Sequence, residues 1–98
     1  MFVGLGRFDI LLGPLGSLKA KRSTVRRITA ELQQKYGCAV AESDYQELLH
    51  RAEVSVAVVS SEYGHCQQML ENCERFLAAK PEHELLAARL RVISDEDV

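Results

Sequence analysis

Two short stretches hold the residues best suited to chemistry. In the first, a Gly13-Pro-Leu-Gly16 turn runs into Ser17-Leu-Lys-Ala-Lys-Arg22. Ser17 is placed to cap a helix, so Lys19, Lys21 and Arg22 crowd its first turn. A helix N-terminus carries about half a positive charge, and each cation there costs about 0.3–1 kcal/mol unless an anion offsets it. Exposed backbone N–H groups at the same end favour an anion. Lys19, Arg22 and Arg26 follow at i, i+3 and i+7 and share one exposed face, and Arg suits bidentate phosphate contact. The expected anion- or RNA-binding set is therefore Ser17, Lys19, Lys21, Arg22, Arg26 and Arg51. The second stretch is Glu42-Ser-Asp44-Tyr-Gln46. Glu42 and Asp44 are two apart on a strand, so both side chains point the same way. A general acid/base pair or a metal site needs such convergence. No histidine stands at ligand spacing, however, and Asp44 with Glu47 makes a capping box. Glu42, Asp44 and Gln46 are accordingly read as structural partners of the basic end, with the two acids able to neutralise it. No catalytic residue, metal or cofactor is expected. His50, His65 and His83 are scattered, and Cys66 shares an apolar stripe with Met69, Leu70 and Cys73. Buried apolar thiols of that kind, Cys38 included, are inert packing groups.

The elements that position these residues follow from periodicity. Residues 2–12 read as a strand with Phe2, Gly4, Gly6, Phe8, Ile10 and Leu12 on a helix-covered face. The two glycines leave room there for a helix to approach. Val3, Leu5, Arg7, Asp9 and Leu11 form the mixed opposite face. Leu18, Val25, Ile28, Leu32 and Tyr36 mark the buried stripe of a helix over 18–36, ended by Gly37. Cys38–Asp44 is a second strand, followed by a short helical turn over 45–49. Ala52–Ser60 is β-branched and reads as a buried central strand. Ser60 or Ser61 caps a second helix with Tyr63, Cys66, Met69, Leu70, Cys73, Phe76 and Leu77 inward and a Glu71–Arg75 pair outward, stopping at Lys80-Pro81. Leu86, Ala88, Leu90 and Val92 alternate in a fourth strand.

The order βαββαβ predicts an α+β ferredoxin-like, split βαβ fold: an antiparallel sheet of order 4-1-3-2 with two helices on one face. Residues 1–93 make one domain, and 94–98 an acidic tail expected to fray. This topology gathers Lys19, Lys21, Arg22, Asp44, His50, Arg51 and His83 at one pole.

The net charge of −2 conceals an asymmetry. Residues 1–36 carry seven cations against Asp9 and Glu31, and residues 37–98 carry five against twelve acids. A positive lobe on an acidic body steers anionic partners. The apolar runs are too short to span a membrane, and the N-terminus lacks a signal-peptide pattern. Three cysteines without CxxC spacing favour reduced thiols, so a cytoplasmic protein is expected.

Ser17-Leu-Lys-Ala-Lys-Arg22 fits an S-L-K-x-K-R motif, and Val40-Ala-Glu-Ser-Asp-Tyr-Gln46 followed by Arg51-Ala52 fits V-A-E-x-D-x-Q and R-A. Together they resemble the small bacterial YlxP-like proteins, a family of unknown function (DUF503), over about residues 2–93. The chain departs at Leu49, where members often carry Trp, and at His50, where Gln is common. The resemblance implies a ferredoxin-like domain whose genes often lie among those for translation initiation and ribosome maturation. It implies no activity, cofactor or catalytic residue.

The expected function is a non-enzymatic RNA- or ribosome-associated module using the basic start of the first helix. Two other readings stand beside it. Val3, Leu5 and Leu11 could seal a homodimer or another protein contact through the open sheet face. The 13–17 turn is also like that of acylphosphatases in architecture, which would make the chain a phosphate-handling enzyme, although a V-Q-G-V-x-F-R run is absent. Strand 3 has no RNP1-like run, which disfavours base stacking on the sheet.

Overall fold

The computed structural model describes residues 1–97. It has β1 (Phe2–Leu12), α1 (Leu18–Tyr36), β2 (Ala39–Asp44), β3 (Arg51–Ser60), α2 (Tyr63–Ala78) and β4 (His83–Ser94), then a short 3-10 turn at Asp95–Asp97. The strands form one antiparallel sheet of order β2-β3-β1-β4, the expected ferredoxin-like arrangement.

Alternation along β1 sends Phe8, Ile10 and Leu12 into the core with Val54 and Val56 of β3. Val25, Ile28 and Leu32 of α1 and Leu70, Cys73 and Leu77 of α2 close over them. Both helices thus cover one face and leave the other open. Gly4 serves the close approach expected of it. A Cβ there would lie 2.8 Å from Val58 and 3.3 Å from the Cys66 Cβ on α2. Gly6 has a different neighbour, because a Cβ there would meet the Phe8 ring at 3.1 Å rather than a helix.

α1 begins and ends as its residues dictate. Ser17 is extended and accepts from the Ala20 N–H, while Gly37 takes the left-handed conformation at φ 63° and donates to Gln33.

Several local expectations are corrected. β3 is central but alternates in burial, since its outer residues face the uncovered side. Ser60 Oγ accepts from the Glu62 N–H ahead of α2, and the N-cap itself is Glu62, with no side-chain cap. Arg75 bonds Asn72 rather than Glu71. In β4 the register against β1 shifts between Asp9 and Ile10, so Leu86 is an extra residue. Leu85 therefore packs on the core, and Leu86 is exposed. Residues 45–49 form a turn closed by Leu48 N–H to the Tyr45 carbonyl, not a helical segment. The acidic tail is tied down as far as it is described. The Met1 ammonium meets Asp95 at 2.9 Å, and residue 98 lies outside the described range.

Candidate functional site

The α1 start is built on Ser17, whose hydroxyl accepts from Ala20 at 3.1 Å, and its first turn contains no acid. Its cations then diverge. Lys21 lies four residues before Val25 and seven before Ile28, so it falls on the buried stripe and is fully buried. Its Nζ donates to the carbonyls of Tyr45 at 2.6 Å and Gln46 at 3.2 Å, and meets Glu42 Oε2 at 2.8 Å. The two carbonyls take two of the ammonium's three N–H groups, and Glu42 Oε2 meets it as an ion partner without hydrogen-bond geometry, buried and with no hydrogen-bond donor among the described residues. The expectation that Lys21 is an open anion contact is therefore corrected: it is consumed internally. The two motif stretches meet at this ion, which pins the β2–β3 turn to α1. Tyr45 stands at φ 63°, left-handed backbone uncommon for a non-glycine residue, where its carbonyl meets Lys21.

Lys19, Arg22 and Arg26 remain exposed, and none has an acid within 4.0 Å among the described residues. They line the outer flank of α1. Between that flank and the edge strand β2 lies a groove of about 330 Å³. Arg22, Arg26 and Thr29 form one wall, Gln46 and Glu47 the other, over a floor of Val25 and Val40. The Gln46 amide leans on the Glu42 carbonyl at 3.4 Å.

Asp44 and Arg51 are not part of this surface. The β2–β3 register shifts between Glu42 and Asp44, which makes Ser43 an extra residue. This bulge separates two side chains expected to point together. Glu42 turns inward to Lys21, whereas Asp44 joins Arg7, Asp9 and Glu53 along a cleft on the open sheet face. Asp44 also makes no capping box with Glu47; its Oδ1 accepts from the Tyr45 N–H at 2.8 Å. Arg51 holds Asp9 through two bonds, at 3.1 and 2.6 Å, and lies 4.8 Å from the Tyr45 ring centroid. The carboxylate raises the Arg51 pKa. Ser43 donates to Glu53 Oε1 at 2.6 Å, and that bond, with Arg7 behind it, holds the Glu53 carboxyl below its ordinary range. The pole is thus divided by the sheet: a basic flank on α1, and a largely self-paired charge cluster on the open face. The Ser43 bulge, with no glycine to mark it, hid the place of Asp44, whereas Arg51 faces the open side by alternation with the buried Ala52.

The remaining nucleophiles are packing groups. Cys73 is buried, and desolvation together with neighbouring Cys38 pushes its thiol up to about 12. His83 contacts the Leu77 carbonyl at 2.9 Å. Among the described residues no three His, Cys, Asp or Glu side chains converge as a metal site would require, and no helix is long and apolar enough to cross a membrane.

A relative described as "Uncharacterized protein YlxP" from Bacillus subtilis (strain 168) is 29% identical over 87 residues, covering 89% of this chain and 95% of its own. The chain is also similar, with 10% identity and a TM-score of 0.42, to a crystal structure of SnoaB, a cofactor-independent oxygenase from Streptomyces nogalater, covering 95% of this chain and 90% of that one. Residues 3–90 match the family described as "Protein of unknown function (DUF503)", the S-L-K-x-K-R and V-A-E-x-D-x-Q stretches lie within that match, and the chain belongs to this family.

Proposed function

We propose that the chain is a non-enzymatic module that binds RNA on a ribosomal particle through phosphate contacts from Lys19, Arg22 and Arg26. The observation that carries this reading is the row itself. The three cations share one flank of α1, are exposed, and lack acidic partners among the described residues, while Lys21 beside them is withdrawn. The row starts at a Ser17-capped helix N-terminus, whose dipole adds to the attraction for phosphate. Residues 19 and 26 are separated by about 10 Å along the axis, the span of two to three successive phosphates. Contacts of this kind position a backbone and do not read bases, so binding is weakly sequence-selective and salt-sensitive. The family resemblance adds a lean towards the ribosome. Lys19→Glu with Arg22→Glu is expected to abolish co-sedimentation with ribosomal particles at low salt. Undiminished co-sedimentation of the folded double variant contradicts the reading.

A further inference from the structure

We infer that the open sheet face pairs with a second copy of this chain, with a twofold axis lying in the face along the strand direction. The register defines what each row presents. Val3 stands between Val59 and Ile93, Leu5 between Ala57 and Arg91, and Arg7 between Ser55 and Arg89. Val59 is 62% exposed and Leu5 is 40% exposed, so the first two rows form an apolar patch in water.

The two edges of the face differ in a way that fits a copy of itself. On the β4 edge, Arg89 and Arg91 are long and exposed, with no acid within 4.0 Å among the described residues. On the β2 edge, Ala39 and Ala41 are small and exposed, and a depression of about 270 Å³ lies over them and Ala57. An isologous interface requires one patch to complement itself. A twofold along the strands lays β4 of one copy over β2 of the other, and β1 over β3. Arg91 and Arg89 then enter the depression, Leu5 covers Ala57, and Val3 meets Val59. Arg89 comes within side-chain reach of Asp44, an exposed acid on the β2 edge. Large side chains thereby meet small ones, and the basic edge meets an exposed acid, Asp44.

The size approaches that of a standard interface. At about 4.8 Å between strands and about 3.4 Å per residue, strands of 11, 6, 10 and 12 residues give a face of about 640 Å², against about 800 Å² per partner in an interface of standard size. The α1 row lies on the other side of the sheet, so pairing leaves it free and is independent of RNA binding.

Sedimentation equilibrium of the full chain from low to high micromolar concentration tests the pairing. A reversible dimer is expected. Leu5→Glu should weaken association by about thirtyfold or more, the effect of losing a central anchor, with the circular dichroism spectrum unchanged. Ala39→Lys should give monomers by setting like charges against Arg91, and Ala39→Lys with Arg91→Glu should restore the dimer. A monomeric wild type, or a dimer indifferent to Leu5→Glu, overturns the interface. A dimer that Ala39→Lys breaks and Arg91→Glu does not rescue overturns the edge-over-edge arrangement.

Discussion

Lys21 and Lys19 are two residues apart and do opposite work. The Lys21 ammonium is out of water, and only Glu42 and the carbonyls of Tyr45 and Gln46 replace its hydration. Removing one member of such a pair strands the other, which costs about 3–5 kcal/mol for a fully buried pair. Glu42 keeps 17% side-chain exposure, so Lys21→Met is expected to destabilise by about 3 kcal/mol in urea titration. Adding Glu42→Gln should recover part of that loss, because the stranded charge is gone. Alanine at Lys19, Arg22 or Arg26 should change stability by less than about 0.5 kcal/mol, since these side chains hold nothing in place. A similar loss at Lys21 and Lys19 contradicts the assignment of one to structure and the other to binding.

At the scale of elements, α2 seats on β1 through the absence of a side chain. The space a Cβ would need at Gly4 is taken by Val58, Leu70 and Cys66. Gly4→Ala should therefore cost about 1–3 kcal/mol by overpacking, measured as a lower urea midpoint. Gly64, whose Cβ would meet nothing within 4 Å, is the control expected to accept alanine without that loss. The elements themselves were legible in the residues. Ser17, Gly37 and an apolar stripe define α1, and the β1 alternation with the βαββαβ order leads to the sheet order found. The burial of Lys21 was legible too, because its spacing to Val25 and Ile28 places it on the stripe, although its charge argued for solvent. The bulges at Ser43 and Leu86 were not. Each inserts one ordinary residue, and register depends on the partner strand, which a local pattern does not contain. That is why Asp44 was expected beside α1 and instead faces the open side of the sheet, whereas Arg51 faces it by plain alternation with the buried Ala52.

Across the whole molecule, titration sets the pH range in which the fold holds. Glu53 is held below its ordinary value of 4.5, first by the Ser43 hydroxyl and then by Arg7. Its folded form is the stronger acid, so its contribution is present above pH 4.5 and is lost as pH falls through the folded value. Cys73 is shifted the other way, from 9.0 to about 12, by burial. The unfolded thiol ionises first, so stability is full below pH 9 and falls as pH rises from 9 towards 12. Urea midpoints should form a plateau between these limits, and Cys73→Ala should remove part of the alkaline fall. The charge layout bears on partners as well as on stability. Residues 1–36 are positive and the remainder acidic in net charge, so a polyanion is attracted to the α1 side. The most direct test of the central claim is co-sedimentation with ribosomal particles, titrated across salt. Three phosphate contacts predict a slope of log affinity against log salt of about −2 to −3, reduced by about 1 for each of Lys19, Arg22 and Arg26 changed to alanine. A slope near zero, or one unchanged when all three are replaced, contradicts it.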